Sequence, residues 1–172
     1  MRLQGKNAIV TGARTGIGRA IVEAVAREGA NVWAIVHRED SAWLGDMEAL
    51  VIEHKVWIKP VYIDLSDEEQ IKQGMQTIIK EKLPIDILVN AAGVLSPQRL
   101  FTMTSIVDMR RLMEVNYFAV VQLSQIVARE MMRKRKGAIV HISSMSAWGD
   151  DSAQLEYAVS KAAINCAAKK MA

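Results

Sequence analysis

Asn7 to Thr11 (Asn-Ala-Ile-Val-Thr) is a short apolar run that stops at a glycine, and that glycine opens a turn, Gly12-Ala13-Arg14-Thr15-Gly16-Ile17-Gly18. Beyond the turn, Ile17, Ala20, Ile21, Ala24 and Val25 recur at helical spacing until Gly29, which suits a helix C-cap. Strand, glycine turn and helix in direct succession leave few folds open. An unbroken apolar strand belongs to a sheet buried on both faces. Glycines also make plain turns, but between these two elements they let backbone N–H groups approach an anion held at the positive N-terminus of the helix. The turn is therefore a candidate cradle for the pyrophosphate of a dinucleotide, with Gly12, Arg14, Thr15, Gly16, Ile17 and Gly18 as its residues.

Asn31 to His37 reads as a second strand and completes a strand-helix-strand unit about 20 residues beyond the glycines, where the adenosine ribose of such a ligand lies. An acid at this place binds a ribose 2′-hydroxyl. This chain has His37-Arg38 instead, and a guanidinium suits a 2′-phosphate, with Arg14 as a second positive charge. NADP(H) is thus expected ahead of NAD(H). In the alternative, Glu39 or Asp40 turns back to the ribose and Arg38 is merely solvated.

The same alternation continues. A helix is expected over Ala42 to Glu53 and a third strand over Val56 to Ile63, where Lys59-Pro60 implies a bulge or an exposed position. Asp64 and Leu65 follow, and Ser66-Asp67-Glu68-Glu69 supplies cap chemistry for a helix that ends before Pro84. Ile85 to Val89 is a fourth strand running into Asn90-Ala91-Ala92-Gly93, small residues against which a ligand can lie. A long helical region, Ser105 to Arg135, is expected to break before Asn116; a fifth strand, Ala138 to Ile142, ends at Ser143-Ser144. Met145 to Gln154 reads as flexible. At 172 residues the chain fits one domain, 1–172, and the pattern predicts an α/β fold of Rossmann type: a doubly wound parallel sheet with helices on both faces.

Near the end stand Tyr157 and Lys161, four residues apart and on one face if the segment is helical. A free tyrosine is a poor acid or base at neutral pH. An ammonium about 4 Å away, at an effective dielectric of about 20, favours the phenolate by roughly 4 kcal/mol. Such pairs are also ordinary surface contacts, so their meaning depends on the rest of the chain.

Together these residues resemble the short-chain dehydrogenase/reductase family along the whole chain. Its T-G-x-x-x-G-x-G turn matches Thr11 to Gly18, its Asn-(Asn/Ala)-Ala-Gly segment matches Asn90 to Gly93, and its Y-x-x-x-K pair matches Tyr157 and Lys161. The serine expected thirteen residues before the tyrosine is Ser144, with Ser143 as runner-up. The resemblance implies that Tyr157 exchanges a proton with the carbonyl or alcohol oxygen and that Ser144 hydrogen-bonds that oxygen. By the same resemblance, Lys161 stabilises the phenolate and holds the nicotinamide ribose, and Asn116 supports local helix geometry and a relay water. It further implies Asp64, with Leu65 beside it, at the adenine, and Asn90, Ala91 and Gly93 along the adenosine ribose. The family's usual basic residue before the second glycine is Thr15 here, so NADP preference rests mainly on Arg38. Relatives normally continue past the position of Ala172 with two further strands and a substrate-covering segment. The chain reads as truncated, a fragment or a naturally short form.

Within the family the pattern is nearest the 3-oxoacyl-(acyl-carrier-protein) reductases of fatty acid biosynthesis. The expected activity is hydride transfer between nicotinamide and a carbonyl or secondary alcohol. A sugar or polyol dehydrogenase is the alternative enzyme, and an NADP-binding module without turnover the alternative of another class. The substrate is a small molecule or acyl thioester, and the basic run Arg133 to Lys136 could attract an acidic carrier protein, although it equally suits a helix C-terminus. It lacks the interleaved aromatics of a nucleic-acid surface. Cys166 is the single cysteine and the three histidines show no ligand spacing, so no metal is expected. With no membrane span and no signal segment, the cytoplasm is the expected compartment, and a homodimer or homotetramer the expected assembly.

Overall fold

Successive residues of a strand face opposite sides of a sheet, and in this chain both sides are covered. The computed structural model describes residues 1–149 and 153–172. Its strands β1 (Asn7–Thr11), β2 (Asn31–Val36), β3 (Ile58–Tyr62), β4 (Ile87–Asn90) and β5 (Ala138–His141) form one parallel sheet in the order β3-β2-β1-β4-β5. Ile9, Trp33, Ile35 and Leu88 point to one side, under α3 (Glu68–Lys80) and α5 (Ala119–Lys134). Val10, Val32, Ala34, Val36 and Val89 point to the other, under α1 (Gly16–Arg27) and α2 (Ser41–His54). This is the doubly wound Rossmann arrangement that the sequence predicts. The chain steps outward from β1 to β3 and then returns to place β4 on the other side of β1. That reversal opens a crevice at the C-terminal ends of β1 and β4.

Local chemistry sets the element ends. Asp40 caps α2 by accepting from the Trp43 amide at 3.1 Å, and Asp67 caps α3 by accepting from the Glu69 and Gln70 amides at 2.9 and 3.0 Å. Of the two outcomes expected at Lys59-Pro60, the exposed position is the one found. The β2–β3 register runs without a bulge, and β3 is an outer strand. Trp57 and Ile63 direct their backbone groups at β2, so the period of two turns the nitrogen of Pro60 outward, where no ladder bond is lost. β5 is the other outer strand, and Val140 on it is 46% exposed.

The break expected before Asn116 is not an interruption. After α4 (Ile106–Met113) the chain passes through one π-helical segment, Glu114–Phe118, directly into α5. Of the stretch Met145 to Gln154, residues 150–152 lie outside the described residues; Met145–Ala147 form a 3-10 turn, and α6 (Leu155–Met171) begins after Gln154. Arg133 and Lys134 occupy the last turn of α5, and Arg135 ends it in the left-handed region at φ 50°. The basic run thus lies beside the start of β5, at the end of the sheet opposite the crevice. No helix among the described residues is long and apolar enough to cross a membrane.

Thr11 ties the two central strands together where they end. Its Oγ1 accepts from the amides of Ala91 at 3.0 Å and Ala92 at 2.9 Å, and its side chain is buried. Thr11→Val orphans both amides, at a cost of about 1–3 kcal/mol each. Urea unfolding is expected to show a loss of about 3 kcal/mol for Thr11→Val and a much smaller loss for Thr11→Ser.

Candidate functional site

The crevice is a cleft of about 1070 Å³ lined by Gly12 and residues 15–18, by Asp64 and Leu65, by Ala91 and Gly93, and by Tyr157 and Lys161. Its floor depends on missing side chains. Gly12 has φ +67°, and a Cβ on it would stand 2.8 Å from Ala92 Cα; a Cβ on Gly18 would collide with the Gly12 carbonyl oxygen. The first turn of α1 therefore sits directly against the end of β1. Thr15, its N-cap, makes no side-chain cap bond, and the turn holds no acidic residue. The uncapped N–H groups at its positive end suit an anion.

At the adenosine end, Asp64 Oδ1 accepts from the Ser66 amide at 2.9 Å and from Ser66 Oγ at 2.7 Å, while Oδ2 has no partner among the described residues. The Ser66 bonds hold the Asp64 carboxyl below the usual carboxylate range. Arg14 is bonded to Asp40, Nη1 to Oδ2 at 3.1 Å. The Trp43 amide and then Arg14 lower the Asp40 carboxyl. The cation and the acid that the sequence offers as rival ribose contacts are thus joined to each other. Arg38 is exposed and has no partner among the described residues. Neither Arg14 nor Arg38 lines the cleft.

At the other end, α6 presents Tyr157 and Lys161 on one face. Lys161 Nζ donates to the Ile142 carbonyl at 2.8 Å and lies 5.7 Å from the Tyr157 ring centroid. Burial pushes the lysine below its ordinary pKa. Asn116, in the π segment, accepts from the Val94 amide at 2.8 Å and donates to the Val94 carbonyl at 3.0 Å and to Ser160 Oγ at 3.1 Å. Gly93 lies beside both groups: a Cβ on it would stand 3.4 Å from Asn116 Oδ1 and from Lys161 Nζ, in ordinary contact. The role of Ser160, four residues from Glu156 on the buried face of α6, is one that motif spacing does not show. Glu156 is itself buried, with neither carboxylate oxygen hydrogen-bonded among the described residues.

The two serines divide. Ser143 lines the cleft and donates to the Lys161 carbonyl at 3.3 Å. Ser144 does not line it; its Oγ caps the following turn, accepting from the Ser146 amide at 3.2 Å. Asn90 also turns away from the cleft lining, and its Nδ2 contacts Ser124 Oγ and His141 Nδ1, each at 3.2 Å. The Asn90 donor requires an unprotonated His141 Nδ1, and burial lowers the histidine's pKa accordingly.

The profile of the family described as short chain dehydrogenase matches residues 6–172. The chain belongs to the short-chain dehydrogenase family. It is 34% identical over 177 residues to a 3-oxoacyl-(acyl-carrier-protein) reductase of Vibrio cholerae, covering 100% of this chain and 68% of that protein. It is 36% identical over 168 residues to a short chain dehydrogenase of Pseudocercospora fijiensis, covering 95% of this chain but only 53% of that one. Among solved structures, a bulky-bulky ketone specific alcohol dehydrogenase from Comamonas testosteroni superposes with a TM-score of 0.86 at 27% identity, over 96% of this chain and 66% of that one. The chain thus spans about half to two thirds of the length of such relatives.

Membership in the short-chain dehydrogenase family implies a nicotinamide cofactor, NAD or NADP, and the residues present fit one. The glycine floor leaves room for a pyrophosphate, Asp64 Oδ2 is a free acceptor, and Lys161 reaches the same cleft. His141 supplies a pH test of the framework behind it. Between the ordinary histidine value of about 6.5 and the lowered one, the unfolded chain binds a proton that the folded chain does not, so stability falls as pH drops through that window. Thermal melts are expected to show this loss below about pH 6.5, with a shallower slope for His141→Gln.

Proposed function

We propose that the chain carries the nucleotide-binding and proton-transfer residues of an NADP(H)-dependent reductase acting on a carbonyl, with a 3-oxoacyl thioester as the preferred substrate class. The observation that carries this is the placement of Tyr157 and Lys161 in the same cleft as the uncapped glycine turn. The identity to 3-oxoacyl-(acyl-carrier-protein) reductases supports the substrate class. When bound, the nicotinamide supplies the hydride. Tyr157 donates its hydroxyl proton to the carbonyl oxygen, and the ammonium of Lys161 stabilises the phenolate left behind. Ser144 orients the oxygen, a role resting on its spacing, and its Oγ must exchange Ser146 for the substrate. Asn116 holds the Val94 backbone and α6 in register. Arg38, the cation left unpaired after β2, takes the 2′-phosphate.

An acidic carrier protein delivering a thioester to this cleft would not meet Arg133 to Lys136, which lie where the strands begin. Association of copies belongs to the same proposal, with exposed Phe118 and Val159 as apolar contacts beside α5 and on α6.

Tryptophan-quenching titrations are expected to show tighter binding of NADPH than of NADH. Arg38→Gln should weaken NADPH by about 10-fold or more, the worth of a charge-assisted bond, and leave NADH unchanged; equal NADH and NADPH affinities in the unsubstituted protein would sink the NADP assignment. Steady-state reduction of acetoacetyl thioesters should exceed that of sugars and be abolished by Tyr157→Phe, with NADPH binding retained. Turnover that survives Tyr157→Phe removes the proposed mechanism, and binding without any turnover leaves a nucleotide-binding module.

A further inference from the structure

We propose that Arg111 is a cofactor-binding residue whose guanidinium stacks on the face of the adenine ring, beside the Asp64 carboxylate that receives the ring's amino edge. The inference rests on the nucleotide-binding reading of the cleft.

Three long cationic side chains line the cleft: Arg99, Arg111 and Lys161. Two of them are occupied, Lys161 by the Ile142 carbonyl at 2.8 Å and Arg99 by Asp108 at 3.0 Å. Arg111 is exposed and has no hydrogen-bond or ion-pair partner among the described residues. Its place in α4 puts it next to buried Leu112, which also lines the cleft. The Asp64 carboxyl is lowered chiefly by Ser66, then by the charges of His37 and, least, of Arg111, and no ion pair closes between Arg111 and Asp64 among the described residues. Asp64, bonded through Oδ1 to Ser66 and with His37 Nδ1 3.9 Å from that oxygen, keeps Oδ2 open among the described residues, and it and unpaired Arg111 border a space floored by apolar groups, Ile63, Leu65 and Leu112.

A flat aromatic ring with a donor edge satisfies all of these groups at once. The apolar walls bury its body, Asp64 Oδ2 accepts from an exocyclic amine, and a cation covers its face. Arginine suits the last task better than lysine, because the guanidinium is planar and more weakly hydrated. A bare phosphate is the poorer fit, since it would leave the apolar walls unused and sit against the Asp64 carboxylate.

Calorimetric titrations of the protein and its Arg111→Ala and Arg111→Lys variants with NADPH, NADH and nicotinamide mononucleotide test this. Stacking predicts that both variants lose about 5- to 10-fold in affinity, by the same factor for NADPH and NADH, with no change for the mononucleotide, which has no adenine. A loss confined to NADPH and largely rescued by lysine would make Arg111 a phosphate contact and overturn the proposal. Unchanged affinity for both dinucleotides in Arg111→Ala would overturn it as well. Unsubstituted protein that binds neither dinucleotide would instead overturn the nucleotide reading of the cleft, and Arg111 with it. Arg111 is exposed on its helix, and matching circular dichroism spectra will show that both variants are folded.

Discussion

Where β1 and β4 end, their backbones approach so closely that Gly12 has no room for a side chain. A Cβ at Gly12 would stand 2.8 Å from Ala92 Cα, and the Thr11 hydroxyl draws in the amides of Ala91 and Ala92. The contact fixes the spacing of the strands on either side of the topological reversal, and with it the width of the crevice. Gly18 repeats the constraint one turn into α1, packing the helix start against the Gly12 carbonyl. The helix then meets the crevice with its N–H groups uncapped. One close approach thus sets the strand spacing, the helix entry and the anion-binding end together.

The other end of the cleft is organised by the π segment. In an α-helix each amide reaches back four residues, whereas a π segment reaches back five and leaves the run locally wider. Asn116 sits within it, buried, and closes a two-point bond onto Val94 while reaching Ser160 on α6. Gly93 lies beside the Lys161 ammonium, and the Ile142 carbonyl anchors that ammonium from the end of β5. Strand ends β4 and β5, the π segment and α6 are therefore cross-linked through polar groups rather than through packing alone. Breaking one of these bonds would shift Tyr157 relative to the glycine turn.

Most of this architecture was legible because it rests on short-range signals. Apolar periodicity located all five strands, glycines located the turn, and the acids after Ser66 located the cap of α3, whereas the Asp40 cap of α2 was not foreseen. The four-residue spacing of Tyr157 and Lys161 correctly put them on one face. Long-range pairings were another matter. Arg14 and Asp40 are 26 residues apart and looked like competitors for one ribose, and only the register of β1 against β2 brings them into contact. The extra residue of the π segment leaves no periodic trace over five positions, so the helix break near Asn116 was visible but its form was not. Spacing singled out Ser144, whereas the turn after β5 engages it locally and leaves Ser143 in the cleft lining. Arg111 carried no motif at all, and its significance depends on which neighbours it lacks.

The two outer strands of the sheet differ in a way that bears on handling the protein. β3 carries Lys59 and turns the nitrogen of Pro60 outward, which denies an approaching strand both a comfortable charge environment and one donor. β5 has neither device. Its first three residues, Ala-Ile-Val, are apolar, and Ala138 and Val140 are exposed. A bare apolar border of this kind is a template for a further strand. Self-adhesion at high concentration is therefore expected to start at β5, and whatever masks that border should act as a solubility factor as much as a structural one.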